Sequence, residues 1–187
     1  MPELTPLNHT GSIIIETARL TLRPTTLSDA PQMLRNWASD PEVTRYLTWL
    51  PHQNLQTTEA VISAWNERHK NPDCYHWGII EKASGQIIGT CGAHALDEKN
   101  QSIEIGYCLS RAHWGKGYTT EAAAAMVNHL LHTVGLNRIS AACDPANPAS
   151  ARVMEKCGMT LEGIRRKAQF CQRRGFYDLV YYAVVKE

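Results

Sequence analysis

Apolar residues along this chain recur at two spacings, every second position and every third to fourth, and the change from one to the other marks out the elements. From Ile13 to Arg23 the alternation predicts a strand, with Leu20 and Leu22 on one face, Arg19, Thr21 and Arg23 on the other, and Pro24 as its end. Ser28-Asp29-Ala30-Pro31 reads as a helix start with Ser28 as cap and Met33, Leu34 and Trp37 facing inward. Asp40-Pro41-Glu42 opens a short helical turn through Val43 and Tyr46. A further helix is expected from about Thr57 to Lys70, with Val61, Ile62 and Trp65 on its inner face.

The middle of the chain reads as strands. His76 to Glu81, Gln86 to His94 and Ser102 to Leu109 are separated by the turn signals Ser84-Gly85 and Asp97 to Gln101, which predicts an antiparallel meander. A long helix follows from about Thr119 to Val134, carrying Ala123, Met126, Val127, Leu130 and Val134 on one face and stopped by Gly135. Arg138 to Cys143 is a strand. Asn147 caps the next helix, Pro148 takes its first position and Gly158 ends it. Leu161 to Lys167 and Gly175 to Val185 are the last strands. Helices falling between strands imply an α/β (α+β) fold with one mixed sheet. No repeat or linker divides residues 1–187, so a single domain is expected, with residues 1–12 as a loose polar tail.

Composition narrows the function classes. A net charge of +1 argues against a general nucleic-acid or membrane-surface binder, and no apolar run approaches membrane-spanning length. The chain start has neither the basic flank nor the apolar run of a signal peptide. Cys74, Cys91, Cys108, Cys143, Cys157 and Cys171 stand singly, without a Cys-x-x-Cys pair, which suits a reducing cytoplasm. The histidines form no ligand spacing, and no metal is predicted. Arg165, Arg166, Lys167, Arg173 and Arg174 form a basic cluster that reads as a solvated hairpin, with steering of an acidic acceptor as its alternative.

Two stretches carry candidate chemistry. In Trp114-Gly115-Lys116-Gly117-Tyr118-Thr119-Thr120-Glu121, two glycines at a helix entry let backbone N–H groups converge where the helix dipole is positive, a site for phosphate or pyrophosphate. No Gly-Lys-Ser/Thr ends it and no third glycine follows, so neither a nucleotide P-loop nor a dinucleotide fingerprint is present. In Asn147-Pro148-Ala149-Ser150, helical spacing turns Ser150 to the face of Val153, Met154 and Cys157. By itself that helix implies only a cap.

These two stretches belong to a wider set. Arg19-Leu20-x-Leu22-Arg23-Pro24, Ser28-Asp29-Ala30, Ile88-Gly89, Ile105-Gly106-Tyr107, Gly115-Lys116-Gly117-Tyr118 with Glu121-Ala122, the Asn147/Ser150/Gly158 helix, Glu162-Gly163-x-x-Arg166 and Tyr177-x-x-x-Tyr181 follow in order. Together, from Glu16 to about Val185, they resemble the GNAT superfamily of acyl-CoA-dependent N-acetyltransferases, in its RimJ/RimL-like branch. The resemblance implies a mixed, twisted sheet splayed between the strands ending at Leu109 and Cys143, with acetyl-CoA as co-substrate in the gap. Carried over, the backbone of Tyr107, Cys108 and Leu109 would hold the pantetheine arm. The N–H groups of His113, Trp114, Gly115, Lys116, Gly117 and Tyr118 would cradle the pyrophosphate, and Asn147 would contact the cofactor. Ala112 departs from the usual Gln or Arg before the turn.

Acetyl transfer from a thioester to an amine requires a base for the amine, donors for the oxyanion and a proton for the departing thiolate. Backbone N–H groups around Cys108 and Leu109 are candidate oxyanion donors. Glu104 is the candidate base, because alternation places it opposite Ile103, Ile105, Tyr107 and Leu109, on a face with Gly106 and Cys108. Where many superfamily members carry a tyrosine acid this chain has Met154, and Ser150 is the expected replacement. His76 and His94 read as sheet residues, and Trp37, Tyr46, Trp49 and Trp65 read mainly as core. The branch suggests a protein N-terminal α-amino group as acceptor. A small-molecule amine (amino acid, polyamine or antibiotic) and a non-catalytic CoA-binding regulator are the alternatives, and a homodimer is left open.

Overall fold

A computed structural model describes residues 4–187. The alternating segments pair into one eight-stranded sheet in the order β1-β2-β3-β4-β5-β6-β8-β7. The strands are β1 (Ile15–Glu16), β2 (Leu20–Arg23), β3 (His76–Glu81), β4 (Ile87–Asp97), β5 (Ser102–Leu109), β6 (Arg138–Cys143), β7 (Thr160–Cys171) and β8 (Gly175–Val185). Neighbouring strands run antiparallel except β5 and β6, which are parallel. The expected meander is present as β3-β4-β5.

Helices cover both faces. On one side α1 (Ala30–Met33, continued as a π-turn over Leu34–Ala38) and α2 (Leu55–Arg68) bury Trp37, Met33 and Ile62 against Ile80 and Ile87. On the other, α3 (Tyr118–Asn128, continued as a π-turn over His129–Val134) and α4 (Pro148–Lys156) bury Met126, Leu130 and Met154 against Leu22, Ile88, Ile105 and Ile139. Gly135 ends the α3 segment, as its position in the sequence predicts.

Four local expectations are corrected. The strand expected over Ile13–Arg23 is a hairpin: Thr17 exchanges hydrogen bonds with Leu20, and the Glu121 carboxylate of α3 accepts from the Thr17 hydroxyl and the Arg19 N–H. A tertiary anchor, invisible to local alternation, makes that turn. The helix start is capped by Thr26 rather than Ser28, because the Asp29 carboxylate accepts the Thr26 N–H while Arg23 holds it from below. β7 continues past Lys167 to Cys171, its pattern interrupted by irregularities near Gly163 and between Arg165 and Gln169. The tail is not loose from Thr5 onward. Thr5 accepts from Gln101, Asn8 donates to Val134, Gly11 donates to Pro72, and His9 bridges Tyr75 and Glu98. Residues 1–3 lie outside the described residues.

Candidate active site

The parallel ladder between β5 and β6 ends at the pair Ile105 and Ala141. β5 nevertheless continues to Leu109 along β4, and β6 continues to Cys143 along β8. The two strands therefore part, leaving a gap between Gly106–Leu109 and Ala142–Cys143. Gly89 on β4 permits this course, because a Cβ there would stand 2.4 Å from the Cys108 carbonyl oxygen. Cys108 turns its carbonyl to β4 and Ser110 donates to Ile88 there, so alternation along β5 directs the Tyr107 and Leu109 N–H groups into the gap. Of the two expected oxyanion donors, Leu109 faces the gap and Cys108 does not.

Two cavities meet at this gap. One, of about 580 Å³, lies between β5, the glycine turn and α4. The other, of about 610 Å³, lies under α1, α2 and the segment that joins them. Both touch Gly106, Tyr107, Cys108, Ala142, Cys143 and Asp144.

At the far end of the first cavity, Gly115 (φ 74°) and Gly117 (φ 80°) take the left-handed conformation that admits glycine most readily. The His113 and Trp114 N–H groups close a 3₁₀ turn onto Ser110 and Arg111. They are thus withdrawn from the expected cradle. The N–H groups from Gly115 to Thr120 have no hydrogen-bond partner among the described residues. They stand at the N-terminus of α3, where an anion is favoured by both dipole and donors. The Lys116 side chain is not part of the cavity wall.

The turn is braced from the sheet. Arg19 donates to the Lys116 carbonyl and to Glu121, and its guanidinium lies 4.3 Å from the Tyr118 ring centroid. Tyr118 donates to Glu81 at 2.6 Å. The Ser84 and Tyr118 hydroxyls hold the Glu81 carboxyl below its usual range. The Trp114 indole donates to the Leu109 carbonyl, tying the turn to the end of β5.

Near the junction, Ser150 lies in the first turn of α4. Asn147 caps that turn, its side chain accepting the Ser150 N–H. The Ser150 hydroxyl is 3.1 Å from the Tyr107 hydroxyl, which donates to the Ser150 carbonyl at 3.0 Å. Burial raises the Tyr107 phenol well above its usual range, so it stays protonated. The Tyr107 side chain was missed in the sequence, where only its backbone was assigned a task.

On the opposite face of β5, Glu104 is 28% exposed and its carboxylate lies 3.5 Å from His94 Nε2. Glu104 and His94 face each other directly across β4 and β5. His94 was set aside as a sheet residue, and the cross-strand register is the signal that brings it to the site. The Cys108 thiol lies 3.3 Å from the Thr90 hydroxyl and burial raises its pKa, which makes it a poor nucleophile. Trp37 is core, but Tyr46, Trp49 and Trp65 are only partly buried and line the second cavity. Arg173 and Arg174 do not form a free solvated hairpin. Arg173 donates to the Thr44 and Trp49 carbonyls, and Arg174 pairs with the buried Asp144.

Backbone N–H groups left without partners in a gap between parallel strands, and again at a helix start beyond it, define a protein able to hold an extended, anion-bearing ligand. Residues 19–160 match the acetyltransferase (GNAT) domain, and the chain belongs to that family of acyl-CoA-dependent N-acetyltransferases. It is similar to an uncharacterized N-acetyltransferase, p20, of Bacillus licheniformis, at 34% identity over 91% of this chain and 94% of that one. The ribosomal-protein-serine acetyltransferase of Escherichia coli is 32% identical over 46% of this chain and 48% of that protein, which supports the RimJ/RimL-like branch. A GNAT-family acetyltransferase from Bacillus anthracis has the same fold, with a TM-score of 0.81 and 27% identity over 92% of this chain and 98% of that one.

Proposed function

We propose that this protein moves the acetyl group of acetyl-CoA to a primary amine by direct attack in a ternary complex, the α-amino group of a polypeptide being the acceptor that its ribosomal-protein relative suggests. The observation that carries this reading is the meeting of the two cavities at the β5–β6 gap. It lets a thioester in one face an amine in the other. The pyrophosphate takes the N–H groups from Gly115 to Thr120, and the pantetheine arm runs along Tyr107 and Leu109 as an added strand. The amine loses its proton to Glu104 through a water, with His94 beside the carboxylate. The amine nitrogen then attacks the thioester carbonyl, whose developing oxyanion accepts from the Leu109 N–H. The C–N bond forms and the C–S bond breaks. The Ser150 hydroxyl passes its proton to the leaving thiolate while taking up the second proton that the new amide nitrogen sheds, so that amide, thiol and one proton on Glu104 result.

The test is rate, cofactor affinity and melting temperature on two variants. Ser150→Ala is expected to lower kcat roughly ten- to a thousand-fold with acetyl-CoA affinity nearly intact. Glu104→Gln is expected to abolish the rise of kcat/KM with pH that belongs to the base. Full kcat in both, at saturating substrates, would leave only backbone and solvent as catalysts and remove both assignments.

A further inference from the structure

The second cavity has walls that acetyl transfer alone does not require. Its aromatic groups fall into two sets. Tyr46 and Tyr177 flank the Arg174 guanidinium, at 5.7 and 4.2 Å from their ring centroids, and Arg174 is itself paired with Asp144. Those rings are engaged in holding the junction together. Trp49 and Trp65 pack beside histidines instead, Trp49 by His52 at 5.3 Å and Trp65 by His76 at 4.1 Å between ring centroids. Burial lowers the pKa of His52 and pushes that of His76 down to about 3, so both supporting rings are neutral at working pH. The result is two half-buried indoles on the cavity wall, each beside an uncharged imidazole that lines the cavity with it.

The charged groups complete the picture. Glu104 and His94 lie on the sheet floor, where the amine must arrive. Arg68 lines the same cavity and makes no ion pair among the described residues. It opposes an acceptor with a second ammonium. A volume of about 610 Å³ is far more than a hydroxymethyl or methyl side chain fills, and a flat aromatic ring gains most from a wall that carries indoles.

We infer that the acceptor carries its primary amine beside a large flat aromatic side chain, taken up against Trp49 and Trp65 with the amine at Glu104. This rests on the acetyl-transfer reading and adds the class of acceptor. The chemistry is shared by a free aromatic amino acid and by a polypeptide with an aromatic first residue.

The experiment compares kcat/KM, with saturating acetyl-CoA, for tryptophan, a Trp-led peptide, a Ser-led peptide of otherwise equal sequence, and spermidine. At least one tryptophan arm is expected to exceed the Ser-led peptide and spermidine by about tenfold or more. A lead for tryptophan assigns the free amino acid, and a lead for the Trp-led peptide assigns the polypeptide. Trp49→Ala and Trp65→Ala are each expected to raise KM for the better arm severalfold with acetyl-CoA affinity unchanged, and Trp65→Phe to restore most of it. Equal or better turnover of the Ser-led peptide or spermidine overturns the inference and leaves acetyl transfer standing. Unchanged KM in both folded alanine variants also overturns it, and the comparison of acceptors on the unaltered protein decides the matter if a variant does not fold. No turnover in any arm, with acetyl-CoA bound, overturns the acetyl-transfer reading and this one together.

Discussion

The hydroxyl of Tyr107 donates to the Ser150 carbonyl, so in the contact between the two hydroxyls Ser150 is the donor, and its proton turns to a sulfur only when one enters the gap. Because its proton is committed to the Ser150 carbonyl, Tyr107 acts on the thiolate through the position of Ser150. Tyr107→Phe keeps the ring packed and removes that hydrogen bond. The expected outcome is a fall in kcat of about three- to tenfold, smaller than in Ser150→Ala, with the acetyl-CoA dissociation constant unchanged. Parallel turnover and calorimetry on the two variants check it. A purely structural Tyr107 would change melting temperature and leave kcat alone. At this scale the sequence discloses residue type and face, which is how Glu104 and Ser150 come forward. It does not disclose which side chains meet across sequence distance, and so Tyr107 and His94 stayed out of view until register and helix docking brought them to their partners.

The glycine turn and α3 work as one element, and their sequence signal is strong because backbone conformation itself demands the residues. Gly117 has φ of 80°, a conformation that side chains rarely adopt, although a Cβ there would meet nothing closer than the Arg19 guanidinium at an ordinary contact distance of 3.5 Å. Gly117→Val therefore strains the turn and places methyl groups where phosphate oxygens approach the N–H groups. Acetyl-CoA affinity is expected to fall by at least about tenfold in a protein that remains folded, measured by calorimetry beside its thermal melt. Unchanged affinity would remove the pyrophosphate from this turn. Arg19→Met tests the brace from the other side, since it deletes the bonds to Lys116 and Glu121 without entering the cradle. A loss of acetyl-CoA affinity several times smaller than that of Gly117→Val is expected. The elements that local pattern missed share one cause. The β1–β2 turn, the Thr26 cap and the far half of β7 are set by Glu121, by the Arg23–Asp29 pair and by strand irregularities, none of which has a periodic signature.

Across the whole molecule, the β3-β4-β5 meander is legible from its turn signals, but the splay between β5 and β6 only through the family resemblance, because no periodicity states which distant strand lies beside which. What the assembled fold adds is a set of buried, neutral histidines distributed over its packed interfaces. Burial lowers the pKa of His52 under the segment leading into α2, of His69 beside His76, of His76 on β3 and of His129 between α3 and the tail. His76 is moved furthest, to about 3, by burial first, with the neighbouring His69 and Arg68 adding to the resistance against a proton. In the unfolded chain each returns to about 6.5. Below that pH the unfolded state binds protons that the native state refuses, so stability falls as pH drops from about 6.5 toward 3, ahead of the range in which carboxylates titrate. Asp29 contributes later. Burial raises its pKa, but the hydrogen bonds from Arg23 and Thr26 outweigh it and hold the carboxyl below its usual range, so its share is present above about pH 4 and is lost as pH falls through its folded value. Urea unfolding at pH 7.5, 6.0 and 5.0 is therefore expected to give a stability that declines steadily through an interval where the carboxylates stay ionised. His76→Phe keeps a flat ring against Trp65 and removes the largest histidine contribution. Its stability is expected to depend on pH less steeply, by up to roughly 1 kcal/mol per pH unit between pH 6 and 5, and the same flattening is expected to continue to about pH 4, where the carboxylates add their own decline. An unaltered slope would mean that His76 takes up its proton in the native protein as readily as in the unfolded chain.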